Sequence, residues 1–467
     1  MGSTVGFTGS PSRAPHPGGA AASAEPLIED ASGRHASKVL RVARALARHD
    51  GSRPLSLKKR AVSHVVPKRN DRRRTDEKLD VSDLDEILEI DPIARTCTAE
   101  PGVTFVDLVA ATLRHGLVPV VVPELKTITV GGAVSGCSLE SMSFRYGGFH
   151  DACLEYEIVT TDGRVLRCTP DNEHRHVFQM IHGSFGTLGF LSKLKFELVP
   201  AKPYVKTTYV TYRSLDEYKA AIRRHATALD VDFMDGIIHA PDKLVLCLGT
   251  FVDEAPYTSR YDWVTVYYRT TAVRTEDYFR TPDYFFRYDR GVTNPTPRSF
   301  LGRLLLGRIL DSATLLRLAD KLHHLLSADR PNVTLDVFLP FSKLQPFMQW
   351  YREQVDYFPL WCVPYRRVRD YEWVADDYFA GIDDDLFVDI AIYGLEQPRG
   401  RNYYKEIEDQ LLALRGIKTL ISHNFYDEAT FWRIFNKPNY DAAKAITDPR
   451  NLLRDLYTKT CKAARGL

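Results

Sequence analysis

With 467 residues, 44% of them hydrophobic, 26% charged, and a formal net charge of +2, the chain has the makeup of a globular protein with no strong global field. Such a length allows two domains, or one large domain carrying an insertion, and argues against a chain that is disordered throughout. No run approaches the roughly 18 apolar residues of a membrane span and no secretory signal opens the chain, so a cytoplasmic protein, at most peripherally attached to a membrane, is expected.

Residues 1–35 are rich in Gly, Ala, Ser and Pro and are expected to form a floppy tail. Helical spacing of Val39, Leu40, Val42, Ala43 and Leu46 places the start of the fold just after it. The stretch from Lys58 to Lys78 is basic but carries no interleaved aromatic residue for base stacking, so nucleic-acid binding is not expected. From residue 79 the texture is α+β: LDEILEID, RTCTAEPG, then a helix in FVDLVAATLRHG that should stop at Gly116. CLEYEIVTTDGRVLRCT reads as a hairpin turning at Asp162-Gly163, and GFLSKLKFELVP as a strand ending at Pro200. Residues 201–415 are aromatic-rich and read as a separate lobe. Within it, 300–326 is an amphipathic run suited to packing on the lobe or to lying on a bilayer. The seven cysteines show no Cys-x-x-Cys pair or Cys/His ligand spacing; reduced thiols and no metal site are expected.

Two glycine clusters carry the chemical signal. Thr127-Ile-Thr-Val-Gly-Gly-Ala-Val-Ser-Gly136, followed by Tyr146-Gly-Gly148, allows backbone amides to approach a ligand, and a pyrophosphate held by amides needs no basic side chain. Gly183-Ser-Phe-Gly-Thr-Leu-Gly189 sits at a helix-to-strand junction and permits the same approach. A glycine turn beside a strand is structural as often as it is functional. Neither cluster is a Gly-x-Gly-x-x-Gly dinucleotide fingerprint, and no Walker lysine, Gly-x-Ser-x-Gly elbow or His-Glu-x-x-His pair occurs.

The ordered succession VVPELKTITVGGAVSGCSLESMSFRYGGFHDACLEYEIVTTDGRVLRCTP, GTLGFLSKLKFELVPAKPYV, YFFRYDRG, LFVDIAIYG and LYTKTCKAARGL resembles the delta-24-sterol reductase family, within the vanillyl-alcohol-oxidase-like FAD superfamily. The likeness runs from about residue 50 to the end. It implies an α+β fold: a PCMH-type FAD-binding domain of two α+β subdomains (36–200), an inserted α+β cap (201–415), and a C-terminal segment (416–467) returning to the flavin. It also implies FAD, held without a covalent link, and NAD(P)H as co-substrate. Ser63 and His64 would meet the phosphates; Thr129, Gly131, Gly132, Gly136 and Gly147 match the second FAD-contacting stretch, and Gly186, Thr187 and Gly189 the third. His150 would neighbour the flavin. Lys418 stands where the superfamily often places a cation at the flavin N1/C2 carbonyl edge, with a surface lysine as its alternative.

The chain departs from the closest family pattern at Ile421 and His423, where Tyr and Asp are usual, so His423 is a candidate proton carrier or a structural histidine. Asp336, Asp389, Arg287 and Tyr393 read as buried pair partners rather than as chemistry. Glu124 could line the flavin face or be a turn residue. The implied reaction is reduction of a carbon–carbon double bond in a sterol side chain or methylene-branched fatty acyl chain, so the expected partner is a lipid or sterol-like small molecule. Its rivals are a flavin oxidase or dehydrogenase of an alcohol or hydroxy acid, and a non-catalytic flavin- or lipid-binding protein.

Overall fold

The computed structural model describes residues 25–61, 65, 66, 68, 71–262, 265–289 and 332–466. Ser63, His64 and the amphipathic run 300–326 lie outside the described residues.

Helix α1 spans Glu25–Arg48, so the part of the expected tail from residue 25 to 35 is helix instead. Charge matching explains the difference. His35 sits between Glu100 (2.8 Å) and Glu157 (3.0 Å), and Lys38 between Glu86 (2.7 Å) and Glu100 (2.9 Å). Composition alone hides these contacts, because their acids are 48 to 122 residues away. The apolar stripe Val39, Val42, Ala43 and Leu46 then packs on Leu55, Leu79, Leu84, Val159 and Phe190.

Strands β1 (Leu55–Lys58) and β2 (Glu77–Asp80) form a parallel pair. A six-stranded sheet follows, built from β3 (Ile87–Asp91), β4 (Thr96–Ala99), β5 (Leu117–Pro119), β6 (Cys153–Val159), β7 (Val165–Cys168) and β8 (Phe190–Pro200). Its order is β3-β4-β8-β6-β7, with β5 on the far half of β8. The expected hairpin is β6–β7, with Gly163 at φ +87 in its turn. Helix α2 (Phe105–Thr112) starts on the Thr104 side-chain cap and, after a short 3₁₀ turn, stops at left-handed Gly116. Helix α3 (Val130–Gly136) carries the first glycine cluster.

The second sheet comprises β9 (Tyr204–Tyr212), β10 (Phe233–Ala240), β11 (Lys243–Val252), β12 (Glu276–Arg280), β13 (Val333–Pro340), β14 (Leu360–Arg366), β15 (Leu386–Leu395) and β16 (Ile417–Lys418). It runs β12-β9-β11-β10-β14-β15-β13-β16. Period-two alternation gives it two faces. On β15, Leu386, Val388, Ile390 and Ile392 pack beneath the helices Leu215–Ala228, Leu344–Gln354 and Tyr403–Leu414, through Ile222, Phe347, Tyr351 and Ile407. Ala391 of β15, Trp361 and Val363 of β14 and Ile417 of β16 belong instead to the core shared with the first sheet and its helices. The inner face of the cap sheet therefore looks toward the glycine clusters. The fold class is α+β.

Candidate active site

The two glycine clusters meet in space. Phe185 N–H donates to Ser135 O (3.0 Å) and Gly183 N–H to Val134 O (3.4 Å), which fastens the 183–189 loop to the end of α3. Phe149 N–H donates to Ser138 O (3.0 Å) and brings in the stretch holding Gly147 and His150. Thr129, Gly136, Gly147, His150 and Gly186 thus belong to one corner of the first domain.

Within that corner the glycines divide by what lies beside them. A Cβ at Gly131 would fall 2.5 Å from Pro101 Cβ, and one at Gly189 would fall 2.8 Å from Ile158, so these two serve close packing. Beside Gly136 there is nothing within 4 Å, and beside Gly186 only the Lys459 ammonium at 3.7 Å. The amides at the start of α3 are not free for a phosphate, contrary to the sequence expectation. Gly131 N–H donates to Pro101 O (3.0 Å) and Gly132 N–H to the Thr129 hydroxyl (3.2 Å). Thr187 is likewise turned inward, its N–H (3.1 Å) and hydroxyl (2.7 Å) both on Ser184 O.

Cations occupy the corner instead. Lys459 Nζ donates to Phe185 O (2.6 Å), and Arg73 lies within electrostatic reach of Lys59, Lys68 and Lys459. The nearby acids are engaged: Asp71 by Arg73 (2.8 Å) and Asp76 by Arg454 (2.6 Å). Among the described residues neither Lys68 nor Lys459 has a carboxylate partner. Burial, helped by the neighbouring cations, lowers Lys68 to about 8 and Lys459 to about 7. Buried Lys68 and half-buried Lys459, with Arg73 near them and open-sided glycines beside Lys459, fit a diphosphate, and so the residues present fit FAD. Sequence reasoning missed this role for Lys59, Lys68, Arg73 and Lys459. The signal was present, in the basic stretch after Lys58 and in the closing KTCKAARGL block.

Lys418 is a correction. Its register partner is Val337, on the helix-covered face of the cap sheet, and its ammonium is ion-paired with buried Glu408 and donates to the His423 carbonyl (2.5 Å). Glu408 also accepts from Phe425 N–H (2.9 Å). The lysine is therefore neither a surface residue nor a free cation. His423 lies on the same side, its ring stacked 5.3 Å from Tyr404 of the helix Tyr403–Leu414. Neither residue lines the cavity between the domains.

That cavity is walled on the first domain by Cys137, Leu139 and His150, and on the cap by Phe338, Tyr365, Phe387 and Ile417, and is also lined by Arg367 and by Tyr371 and Trp373, whose rings stack at 5.5 Å. His150 is buried, its Nε2 lies 3.4 Å from Asp151 Oδ2, neither ring nitrogen has a hydrogen-bond partner among the described residues, and burial lowers its pKa. Arg287 is a buried pair partner, as expected, 3.1 Å from Asp235 and 3.3 Å from Glu140. Asp336 and Asp389 are not: among the described residues neither has a cation partner. Glu124, Asp336 and Asp389 influence one another, and burial raises all three, Glu124 to about 8 and Asp336 to about 6.

Comparison with known proteins agrees with this geometry. Residues 62–169 match the family model of the FAD binding domain. The chain is 27% identical over 414 residues to the Delta(24)-sterol reductase of Homo sapiens, covering 82% of this chain and 77% of that protein. It is 24% identical over 436 residues to the Delta(24)-sterol reductase of Arabidopsis thaliana, covering 83% and 77%. Cytokinin dehydrogenase 5 of Arabidopsis thaliana is 29% identical over 148 residues, only 31% of this chain. The resemblance read from the sequence stands, and with it the reading of the chain as an FAD-dependent oxidoreductase.

Proposed function

We propose that the protein reduces a carbon–carbon double bond in an apolar lipid, either a sterol side chain or a methylene-branched fatty acyl chain. NADH or NADPH would be the electron donor and FAD, without a covalent link, the carrier. The observation that carries this reading is the cavity between the domains, whose cap wall of Phe338, Tyr365, Phe387 and Ile417 offers apolar surface along its length. Burial of apolar surface is worth roughly 25 cal/mol per Å², so an apolar lining favours an alkyl chain over a lactate-sized acid.

FAD, once bound, supplies the hydride chemistry that no side chain can. The chain's own residues do the rest. Lys68, Arg73 and Lys459 would hold the diphosphate, while Gly136 and Gly186 leave the backbone bare where the cofactor approaches. Leu139, His150, Tyr371 and Trp373 line the cavity. An unactivated alkene accepts hydride at one carbon only if an acid protonates the other, so the site must also hold an acid. None of the described helices is long and apolar enough to cross a membrane, and a cytoplasmic protein that meets its lipid at a membrane surface suits this reading.

Deuterium tracing tests it. Anaerobic protein reduced with labelled NADH or NADPH is expected to be reoxidised by a sterol or branched-acyl alkene, one new C–H bond carrying the label and the other a solvent hydrogen. If no such alkene reoxidises it while small alcohols or hydroxy acids reduce the oxidised form, the oxidase reading replaces this one. Failure of both half-reactions leaves a flavin- or lipid-binding protein.

A further inference from the structure

The inner face of the cap sheet carries a row of four side chains across four strands. Register pairs Val363 of β14 with Asp389 of β15, Asp389 with Phe338 of β13, and Phe338 with Ile417 of β16. Paired residues of an antiparallel sheet project to the same side, so Asp389 stands in an apolar row that faces the first domain. Phe338 and Ile417 in that row line the cavity, as do Phe387, two residues along β15, and Tyr365 opposite it. The rings of Phe338 and Tyr365, from the strands flanking β15, lie edge to face at 6.0 Å. Asp389 is only 8% exposed, and its Oδ1 is buried without a hydrogen-bond partner. Among the described residues no cation or hydrogen-bond donor meets Asp389, a situation that proteins avoid for a carboxylate unless the group has a task.

The surroundings are specific. Asp336 pairs with Ala391 and is the diagonal neighbour of Asp389 on the same face. The Tyr393 hydroxyl donates to Asp336 Oδ1 (2.5 Å), which fixes that carboxyl group. Glu124 lies within electrostatic reach of both aspartates. Glu140 and Arg287 also act on Glu124, and Arg287 is itself held by Asp235 and Glu140.

We propose that the Asp389 carboxyl group is the acid that protonates the substrate carbon, with Asp336, Tyr393 and Glu124 as positioning residues. The assignment rests on the alkene-reductase reading. In the step, the hydride that bound FAD would supply forms the C–H bond at one alkene carbon with its own two electrons. The π pair forms the new bond at the other carbon with the proton of Asp389, whose O–H bond breaks. The resulting carboxylate recovers a proton from solvent before the next turnover. Burial, together with the two neighbouring acids, raises Asp389 well above the usual carboxylate range, which keeps that proton in place between turnovers.

Two measurements test the assignment. Infrared spectra of the protein at neutral pH are expected to show the carbonyl stretch of a protonated carboxylic acid, and Asp389→Asn to lack one such component; wild-type protein without any protonated-acid band overturns the proposal. In stopped flow, Asp389→Asn is expected to be reduced by NAD(P)H within about twofold of wild type, while its reoxidation by the lipid alkene slows about 100- to 10,000-fold. Asp389→Glu should recover part of that loss and serves as the functional variant if Asn impairs folding. Wild-type-like reoxidation of Asp389→Asn sinks the assignment alone. If the wild-type protein is reoxidised by no alkene, the reading of the reaction falls and the assignment with it.

Discussion

The corner of Lys68 and Lys459 and the face of Glu124, Asp336 and Asp389 are both concentrations of like charge wholly or partly buried. They relieve the same repulsion by opposite routes. In the corner, Lys68 and Lys459 fall toward neutrality when alone, and a bound diphosphate would favour their charged forms. On the cap face the acids rise, and at neutral pH protons neutralise Glu124 and Asp389. The contrast teaches that an unpaired buried cluster announces what is missing: an anion in one case, a transferable proton in the other. Lys418 and Glu408 show the third outcome, a pair complete in itself that calls for no ligand.

The largest effect should come from breaking that complete pair. Lys418→Met leaves Glu408 buried without its counter-ion and is expected to cost about 3–5 kcal/mol of stability. Adding Glu408→Gln should recover much of the loss, as read from urea midpoints. If Lys418→Met instead leaves stability untouched and slows reduction of bound FAD, the lysine belongs to the cofactor after all.

Next in size is the corner. Lys459→Met is expected to weaken FAD binding about 10- to 100-fold, corresponding to about 1.4–2.7 kcal/mol, without comparable loss of folding stability. Titration of cofactor-free protein with FAD, followed by fluorescence, measures it. Unchanged affinity would move the diphosphate away from the C-terminal segment.

The same corner gives a pH dependence with a definite sign. Folded Lys459 and Lys68 are lowered to about 7 and about 8 in the cofactor-free protein, and a bound diphosphate favours their charged forms. FAD binding therefore takes up protons, and affinity should fall as pH rises from 6 to 9. For folding the linkage runs the other way: between about 7 and 10.5 the unfolded chain binds more protons at these lysines, so they make the cofactor-free protein more stable as pH rises through that window. Calorimetry in buffers of different ionisation enthalpy should detect the proton uptake, reduced in Lys459→Met. An affinity that is flat with pH rules the lysines out as the anion partners.

How much of this could be read beforehand follows from the range of each interaction. Local patterns were legible: the β6–β7 hairpin from Asp162-Gly163, the end of α2 at Gly116, and the two glycine clusters as one site. The role of each glycine was not, because what a missing Cβ leaves room for depends on distant residues such as Pro101 beside Gly131 and Lys459 beside Gly186. Lys418 misled because a two-residue strand carries no periodicity from which to tell its faces, and only the pairing with Val337 settles the matter. Asp389 was readable as a charge in an apolar run. Its lack of a partner is a three-dimensional fact.

The smallest expected effect concerns the hydrogen bond that distinguishes the two aspartates of the cap face. The Tyr393 hydroxyl donates to Asp336 and lowers its pKa, partly offsetting the burial that raises the group to about 6. A hydroxyl donor stabilises a carboxylate more than it stabilises a carboxylic acid, so the bond is worth more once Asp336 has ionised. Tyr393→Phe should therefore cost little at pH 5, where Asp336 is mostly protonated in both proteins, and about 1–2 kcal/mol at pH 8, where wild-type Asp336 is charged. The sign follows from linkage: the variant's folded Asp336 titrates higher, and it loses stability as pH rises through the gap between the unfolded value and its own. Denaturation midpoints at the two pH values decide it. An equal cost at both would mean that the hydroxyl acts only by packing and that Asp336 does not titrate between them, which would remove the charge contrast between the neighbouring acids.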